Sequence, residues 1–179
     1  MIPLLKGVRV LELGAVVLGP YAGQILADLG AEVIKVEPVD GDVARATQPQ
    51  AAGTGAVYVN NNRNKRAITL STRHKAAAPI LEKLVRVSDV LVENFRPGTL
   101  AEMGLGYERL RELNPRLVVT PISGFGQTGP LAQRALFDAI AQAMSGLMSL
   151  TGKGEPTLTG TFIADYVAVL SNPWARFVI

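Results

Sequence analysis

Several residue types that carry enzyme chemistry are absent or scarce in this sequence of 179 residues. There is no cysteine, which excludes a disulfide framework and cysteine-based zinc sites. The single histidine, His74, leaves too few imidazoles for a histidine-based metal site and argues against a Ser-His-Asp hydrolase. Aromatic residues make up only 6% of the chain, whereas nucleic-acid binding favours basic residues clustered with aromatics. We therefore expect no nucleic-acid partner.

Long apolar runs are missing as well. No stretch approaches the ~20 consecutive apolar residues of a membrane span, and the start "MIPLLKGVRVLEL" lacks the pattern of a signal peptide. These absences predict a soluble, cytoplasmic protein without a membrane partner. The formal charge of +3 is only mildly basic and fits an anionic small ligand, such as a phosphorylated cofactor. The hydrophobic content of 48% suits a parallel sheet that is buried on both faces.

What the sequence does contain is an alternation of strand and helix patterns. The apolar runs "VRVLEL" and "EVIKVE" flank the helical stretch "YAGQILADLG", which Gly30 is placed to end. Further strands are predicted at "AITL", "VLVEN" and "RLVVTPIS", and helices at "KAAAPILEKLVRVS", "YERLRELNP" and "FDAIAQAMSGLMSL". Residues 38–66 are predicted to form a long loop. The alternation predicts an α/β fold with an open, mostly parallel, Rossmann-like sheet and flanking helices.

The usual nucleotide-binding motifs are not present in this fold pattern. The turn after the first strand, "GAVVLGP", is not G-x-G-x-x-G, and "GFGQTGP" lacks the Lys-Ser/Thr of a phosphate-binding loop. A simple NAD-binding or ATP-binding fold is therefore not favoured.

One carboxylate, Asp165, stands in the apolar run "GTFIADYVAVL" with no Lys or Arg beside it. Its position permits an N-cap on the helix "YVAVL", because Asp is among the preferred N-cap residues. The alternative is a nucleophile; the residues alone favour the cap. The other acid of this region, Asp138, is interpreted as a first-turn residue that the helix dipole favours.

Taken together and in this order, several segments resemble the type III CoA-transferases, which include carnitine and formyl-CoA transferases and α-methylacyl-CoA racemases. The resemblance covers residues 5–169 and only the N-terminal portion of the family. It implies an incomplete fold, with residues 1–170 as the N-terminal part of a large domain and 171–179, "SNPWARFVI" with Pro173, as an atypical or truncated tail. The segments are "GVRVLELGAVVLGPYAGQILADLGAEVIKVEP", "GDVAR", "NRNKRAITL", "DVLVENFRPGTLAEMGLGYERLRELNPRLV", "ISGFGQTGP" and "AQAMSGLMSLTG".

The resemblance also implies site residues. Asp165 matches the catalytic aspartate, and CoA or acyl-CoA is expected as a substrate, with no permanently bound cofactor. Arg45 and Arg66 would hold phosphates, and Phe95 would stack on adenine. The plainer alternatives are solvated loop charges for the two arginines, a core position for Met103 and a turn-closing role for Asn94. The predicted CoA-binding set is Val16, Arg45, Arg66, Asn94, Phe95, Met103 and Phe137.

The reaction implied is the transfer of CoA between two carboxylic acids through an aspartyl-CoA thioester on Asp165. A racemase is disfavoured, because Phe137 stands where the racemases carry a histidine. The family implies a homodimer or a missing second half, and the competing hypothesis is a non-catalytic fragment that at most binds CoA. Three positions depart from the family pattern: Ser71 replaces a usual Asp, and Glu102 and Ala135 replace cations found in some transferases.

Overall fold

The structure is a computed structural model, which describes residues 3–72 and 74–171. Its elements alternate between strand and helix along the chain, with a 3-10 turn, Val43–Ala46, after β2. In chain order the elements are β1 Arg9–Leu13, α1 Leu18–Asp28, β2 Glu32–Glu37, β3 Gln50–Ala51, β4 Thr54–Gly55, α2 Ala56–Asn61, β5 Lys65–Thr69, α3 Ala77–Arg86, β6 Val90–Glu93, α4 Thr99–Glu102, α5 Tyr107–Leu113, β7 Val118–Pro121, α6 Asp138–Met144, α7 Leu147–Thr151 and α8 Ile163–Ser171.

The central sheet has five strands in the order β5-β2-β1-β6-β7, and every neighbouring pair is parallel. In the register of the middle strands, Val10 of β1 lies opposite Val33 of β2 and Val90 of β6. The chain proceeds outward from β1 on one side and then returns to start again at β6. The carboxyl ends of β1 and β6 therefore flank a topological switch point, where open α/β sheets bind ligands.

Both faces of the sheet are buried, as the apolar strand runs predict. Because successive side chains of a strand point to opposite faces, Val10 packs into a cluster with Leu26 of α1 and Val169 of α8. Its neighbour Leu11 belongs to a second cluster, which includes Leu81 of α3. The predicted fold class, an open parallel sheet with flanking helices, is confirmed.

Two segments differ from the sequence-based prediction. Residues 38–66 are not one loop, because they form the 3-10 turn, the β3–β4 hairpin and α2, and β5 already begins at Lys65. The stretch 137–150 is not one helix, because Gly146 has a φ of 80° and separates α6 from α7. The predicted end of α1 is confirmed, since Gly30 follows the helix with a φ of 99°.

The last described residue, Ser171, is also the last residue of α8. The rest of the predicted atypical tail, including the helix end expected before Pro173, lies outside the described residues. Among the residues that are described, no helix combines the length and the apolar content needed to cross a bilayer.

Candidate active site

A cavity of about 210 Å³ opens at the switch point. Its walls come from the loops that follow β1, β6 and β7, from the segment before α6, and from the first turn of α8. We call it the switch-point cavity. The lining residues are Val16, Val17, Leu18, Asn94, Phe95, Arg96, Pro97, Ile122, Ser123, Gly124, Ala132, Arg134, Ala135, Leu136, Phe137 and Asp165.

A second and more open cavity, of about 940 Å³, lies along the same edge of the sheet. We call it the outer cavity. Phe95 lines both cavities and is thus a wall between them. Because sites for drug-sized ligands occupy roughly 300–1,000 Å³, the switch-point cavity has room only for the end of a large ligand. The outer cavity is lined by Pro38, Val39, Asp40, Leu70, Ser71, Thr72, Phe95, Thr99, Glu102 and Met103.

The side chain of Asn94 ties the loops after β1 and β6 together. Its Oδ1 accepts the N–H of Ala15 at 2.9 Å, and its Nδ2 donates to the carbonyl oxygen of Ala15 at 3.0 Å. A Cβ atom added to Gly14 or Gly19 would lie within 3.0 Å of that Oδ1, so both glycines leave room for the amide. Asn94 therefore joins two loops across the switch point, and the expectation that it closes a turn in its own loop is wrong.

Val16 contributes a strained backbone to the cavity wall. Its φ of 67° lies in the left-handed region, which a β-branched residue rarely adopts and which costs roughly 1–2 kcal/mol. Such strain persists only where the surrounding structure imposes it, and it is concentrated at functional sites. The N–H of Val16 donates to the carboxylate of Asp42.

Asp165 is the third residue of α8, which begins at Ile163. The predicted alternative of an N-cap is therefore wrong. The capping acceptor is Asp138, whose Oδ1 accepts the N–H of Ala164 at 2.8 Å and that of Asp165 at 3.2 Å. Asp138 is also the first residue of α6, as predicted. One carboxylate thus joins α6 to the first turn of α8 and frees Asp165 from the capping role.

Packing against α1 fixes the orientation of α8. The ring of Tyr166 meets that of Tyr21 edge-to-face, with centroids 4.7 Å apart, and Val169 is fully buried. Asp165 is left half-buried in the cavity wall. Burial, and secondarily the negative charge of Asp138, raises the pKa of the Asp165 carboxyl to about 6.

The structure brings together most of the predicted site. Five predicted residues line the switch-point cavity, namely Val16, Asn94, Phe95, Phe137 and Asp165. Phe137 is 72% exposed immediately before α6. Met103 lines the outer cavity and also packs against the apolar core, so the two interpretations of this residue coexist.

The two predicted phosphate-binding arginines lie outside the lining of both cavities. Arg45 makes two hydrogen bonds of 2.9 Å to Glu37 and lies over the ring of Tyr58. Arg66 is near the start of β5, at the opposite edge of the sheet, where it pairs with Glu32 at 3.0 Å. The geometry does not support phosphate binding by either guanidinium, and that role stays a prediction.

Sequence reasoning missed several lining residues, notably Arg96, Ser123, Gly124 and Arg134. The carboxyl ends of the predicted strands could have identified Arg96, Ser123 and Gly124, because those ends meet at one edge of a parallel sheet. The three departures from the family pattern all lie at the cavities: Ser71 and Glu102 at the outer cavity, Ala135 at the switch-point cavity.

The charged lining of the switch-point cavity is simple. Among its lining residues Asp165 is the single carboxylate, no imidazole is present, and Arg96 and Arg134 are the cations. Within the described part of the chain no group of three or more His, Asp or Glu side chains is arranged to hold a metal ion. The described lining therefore contains one carboxylate and two cations, without a second acid or an imidazole.

A doubly wound α/β sheet with a carboxylate in its switch-point crevice defines a protein that binds a ligand along the carboxyl edge of its strands. Comparison with known families makes this more specific. Residues 5–175 match CoA-transferase family III, and the chain belongs to this family.

Named relatives support the assignment. The chain is 48% identical over 173 residues to succinate–glutarate CoA-transferase of Agrobacterium fabrum, a match that covers 91% of this chain and 43% of the relative. It is 46% identical to human succinyl-CoA:glutarate CoA-transferase, covering 90% and 38%. A crystal structure of a CAIB/BAIF family protein from Brucella suis superposes with a TM-score of 0.89 at 40% identity, covering 97% and 49%. The chain thus spans less than half the length of the curated relatives it matches.

Proposed function

We propose that this chain carries the nucleophile and the CoA-binding edge of a CoA-transferase, and that Asp165 becomes an aspartyl-CoA thioester during turnover. The observation that carries the proposal is the position of Asp165 as the single carboxylate of a cavity at the switch point. The outer cavity supplies the space that the body of CoA requires, with Phe95 between the two.

The reaction would proceed as two exchanges on one carboxylate. An oxygen of Asp165 attacks the carbonyl carbon of the donor thioester, the C–S bond breaks, and CoA leaves as a thiolate, with a mixed anhydride left on the protein. The thiolate then attacks the aspartyl carbonyl, which forms the aspartyl-CoA thioester and releases the donor acid. The acceptor carboxylate repeats these steps in reverse. Every intermediate keeps an activated acyl group, so no thioester energy is lost to water.

The environment of Asp165 suits this role. With a pKa of about 6, the carboxylate is still roughly 90% ionised at pH 7. It is also more basic than an exposed aspartate, which makes it a better nucleophile. Since an ionised carboxylate needs no general base, the absence of an imidazole from the cavity is no obstacle. The loop that contains Gly124 provides backbone next to the reacting centre, and N–H donors there would stabilise the oxyanion.

The cations of the cavity suggest the class of acid. Among the described residues neither the Arg96 nor the Arg134 guanidinium has a hydrogen-bonded partner. A guanidinium that faces a small cavity binds a carboxylate well. Named relatives transfer CoA to or from glutarate, succinate and L-malate. We propose short dicarboxylic acids as substrates, with the second carboxylate held by these arginines.

One feature of the cavity argues against a racemase, and one feature of the surface bears on whether the chain is active alone. Racemisation by two bases lacks its second base, because Phe137 occupies the relevant position and no other acid or base lines the cavity.

The hypothesis of a non-catalytic fragment is supported by exposed apolar side chains on α6, α7 and α8, including Met144, Leu150 and Val167. Exposed apolar side chains on helices that contact one another are typical of a surface that another polypeptide segment covers. We propose that a second half or a second copy of the chain completes the enzyme.

Intact-mass spectrometry tests the nucleophile directly. The purified chain is incubated with succinyl-CoA, and a covalent CoA adduct is sought in the wild type and in Asp165→Asn. Glu155→Gln, which changes an exposed acid outside both cavities, is the matched control. We expect an adduct in the wild type and the control and none in Asp165→Asn. An adduct that persists in Asp165→Asn excludes this nucleophile. A folded chain without any adduct favours the fragment hypothesis.

A further inference from the structure

The turn that follows β1 is hydrogen-bonded to a buried carboxylate, that of Asp42, which plays no part in the proposed chemistry. The N–H of Val16 lies 3.1 and 3.2 Å from the two carboxylate oxygens of Asp42. Asp42 is only 3% exposed, and its Oδ1 also accepts the N–H of Ala44 at 2.9 Å. This one side chain therefore fixes the 3-10 turn after β2 and, at the same time, the cavity wall after β1.

A buried lysine, Lys35, binds the same turn at Gly14, its first residue. The Nζ of Lys35 lies 3.0 Å from Oδ2 of Asp42 and donates to the carbonyl oxygen of Gly14 at 2.9 Å. It also pairs with Glu12 at 2.9 Å, and Glu12 in turn accepts from Lys65 at 2.6 Å. Lys35 is 1% exposed and lies on β2, next to the central strand β1. Gly14 and Val16 are thus both tied to one charge cluster, formed by Glu12, Lys35, Asp42 and Lys65.

The ion pair of Arg45 completes the arrangement on the other side. The backbone N–H of Asp42 donates to Oε2 of Glu37 at 2.9 Å, and the same carboxylate accepts two hydrogen bonds from Arg45, which also donates to the hydroxyl of Tyr58. Tyr58 also donates to Glu37, at 2.6 Å. Arg45 therefore acts on the backbone that carries Asp42, rather than on either cavity directly.

Stability alone is a poor reason for this cluster. Buried ion pairs contribute little net stability, because desolvation opposes their attraction, and apolar residues often replace them without loss. The cluster is nevertheless hydrogen-bonded to Val16, whose backbone adopts a conformation that valine disfavours and that persists only where the surrounding structure imposes it. Val16 lines the switch-point cavity. The strained turn and the charges bonded to it thus share one location, a wall of the switch-point cavity.

We propose that Asp42 is a positioning residue for the switch-point cavity: it holds the Gly14–Val17 turn in the conformation that receives the acyl-CoA, with Lys35 behind it. The identity of the ligand rests on the proposed function; the control of the turn by Asp42 does not. Asp42 does not reach the reacting atoms, since it lines neither cavity. Its removal should weaken binding and leave the chemical step on α8 nearly unchanged.

Two measurements on Asp42→Ala test this proposal. The first is hydrogen exchange of the Val16 amide, followed by NMR without ligand. The second is the dependence of the rate of adduct formation on succinyl-CoA concentration. We expect the Val16 amide to exchange at least tenfold faster and the half-saturating concentration to rise at least fivefold. The maximal rate should stay within threefold of the wild type. Asp42→Asn, which keeps one acceptor oxygen, should lie between the two.

The matched control is Asp89→Ala. Asp89 also accepts a backbone N–H, that of Arg9 at the start of β1 at 2.8 Å, but at the opposite edge of the sheet. Both readouts should be unchanged in this variant. The proposal is overturned if Asp42→Ala behaves like Asp89→Ala, or if exchange accelerates equally at all amides and the maximal rate falls with it.

Failure of either proposal can be recognised separately. If Asp42→Ala does not fold, Asp42→Asn decides by the same two readouts. If the wild-type chain forms no adduct, the fragment hypothesis is favoured over the proposed function, and the Val16 exchange rates alone still decide whether Asp42 holds the turn.

Discussion

Replacement of Gly23 by alanine should destabilise the protein, although the same change in most helices stabilises it. Gly23 lies inside α1 and is buried. On helix propensity alone, alanine would stabilise the fold by roughly 0.5–1 kcal/mol. However, a Cβ at this position would lie 2.0 Å from Oε2 of Glu12 and 3.2 Å from Nζ of Lys65. The Glu12 carboxylate must therefore move by more than about 1 Å to reach an ordinary contact distance.

That movement is expensive because the carboxylate is not free to turn. Glu12 is fully buried and accepts from Lys35 at 2.9 Å and from Lys65 at 2.6 Å. Disruption of a buried ion pair typically destabilises a protein by about 3–5 kcal/mol. After subtraction of the propensity gain, we expect Gly23→Ala to lower the free energy of unfolding by about 2–4 kcal/mol.

Urea unfolding followed by far-UV circular dichroism measures this change. The matched control is Gly160→Ala, because nothing lies within 4 Å of a Cβ built at Gly160. The control should stay within about 0.5 kcal/mol of the wild type. A Gly23→Ala variant as stable as the wild type, or more stable, would refute the view that α1 is pressed against a rigid charge cluster.

Three further predictions concern charged groups. Burial alone would raise the pKa of Glu37, but hydrogen bonds, chiefly from Arg45, lower it to about 2. Since the folded pKa lies below the unfolded one, the ionised carboxylate stabilises the wild type. At pH 6 the free energy of unfolding of the wild type should exceed that of Glu37→Gln by about 3 kcal/mol. In urea titrations this difference should disappear as the pH falls from about 4.5 to 2. An advantage that stays constant over this range would contradict the assignment. Burial raises the pKa of Glu93 to about 7. Because the folded state then holds a proton that the unfolded state loses, the stability of the wild type falls as the pH rises from about 4.5 through 7. Glu93→Gln should therefore be more stable than the wild type at pH 8, by on the order of 2–3 kcal/mol, and no more stable at pH 4. Thermal melts at the two pH values check this, and an equal effect at both would refute it. Finally, Arg134→Gln should raise the half-saturating concentration of succinyl-CoA for adduct formation on Asp165 about tenfold and leave that of acetyl-CoA unchanged; an equal shift for both would show that the arginine does not recognise the second carboxylate.

Local patterns were sufficient for the sheet but not for the region between β2 and β5. The strands are continuous apolar runs, which is the pattern of a parallel sheet buried on both faces. The strands of the β3–β4 hairpin are only two residues long, and α2 is only six residues long. A helix or strand that short has no measurable periodicity, and here it is stabilised by contacts with the 3-10 turn instead. A Cβ at Gly55 would lie 2.4 Å from the carbonyl oxygen of Ala44, which shows how closely the two segments approach.

The same distinction between local and distant contacts applies to the site. Asp165 was singled out by its local context, an acid without a cationic neighbour in the sequence, and by the resemblance to a family. The acceptor that caps α8, Asp138, lies 27 residues earlier than Asp165 and could not be found from helix rules. Arg45 looked like a free loop cation, because its partner Glu37 is brought to it by the turn between them. Pairings of this kind depend on the fold and are not visible in a local window.

All five strands of the central sheet end by Pro121, whereas α8 with Asp165 is formed by later residues. The order of elements along the chain is therefore also an order in time during synthesis. The ribosome completes these five strands before it makes Asp165. The acid reaches the cavity wall only when α8 docks through Tyr166 and Val169 onto α1, a helix made almost 150 residues earlier. A nascent chain can thus have its central sheet complete while the wall of the switch-point cavity still lacks its carboxylate.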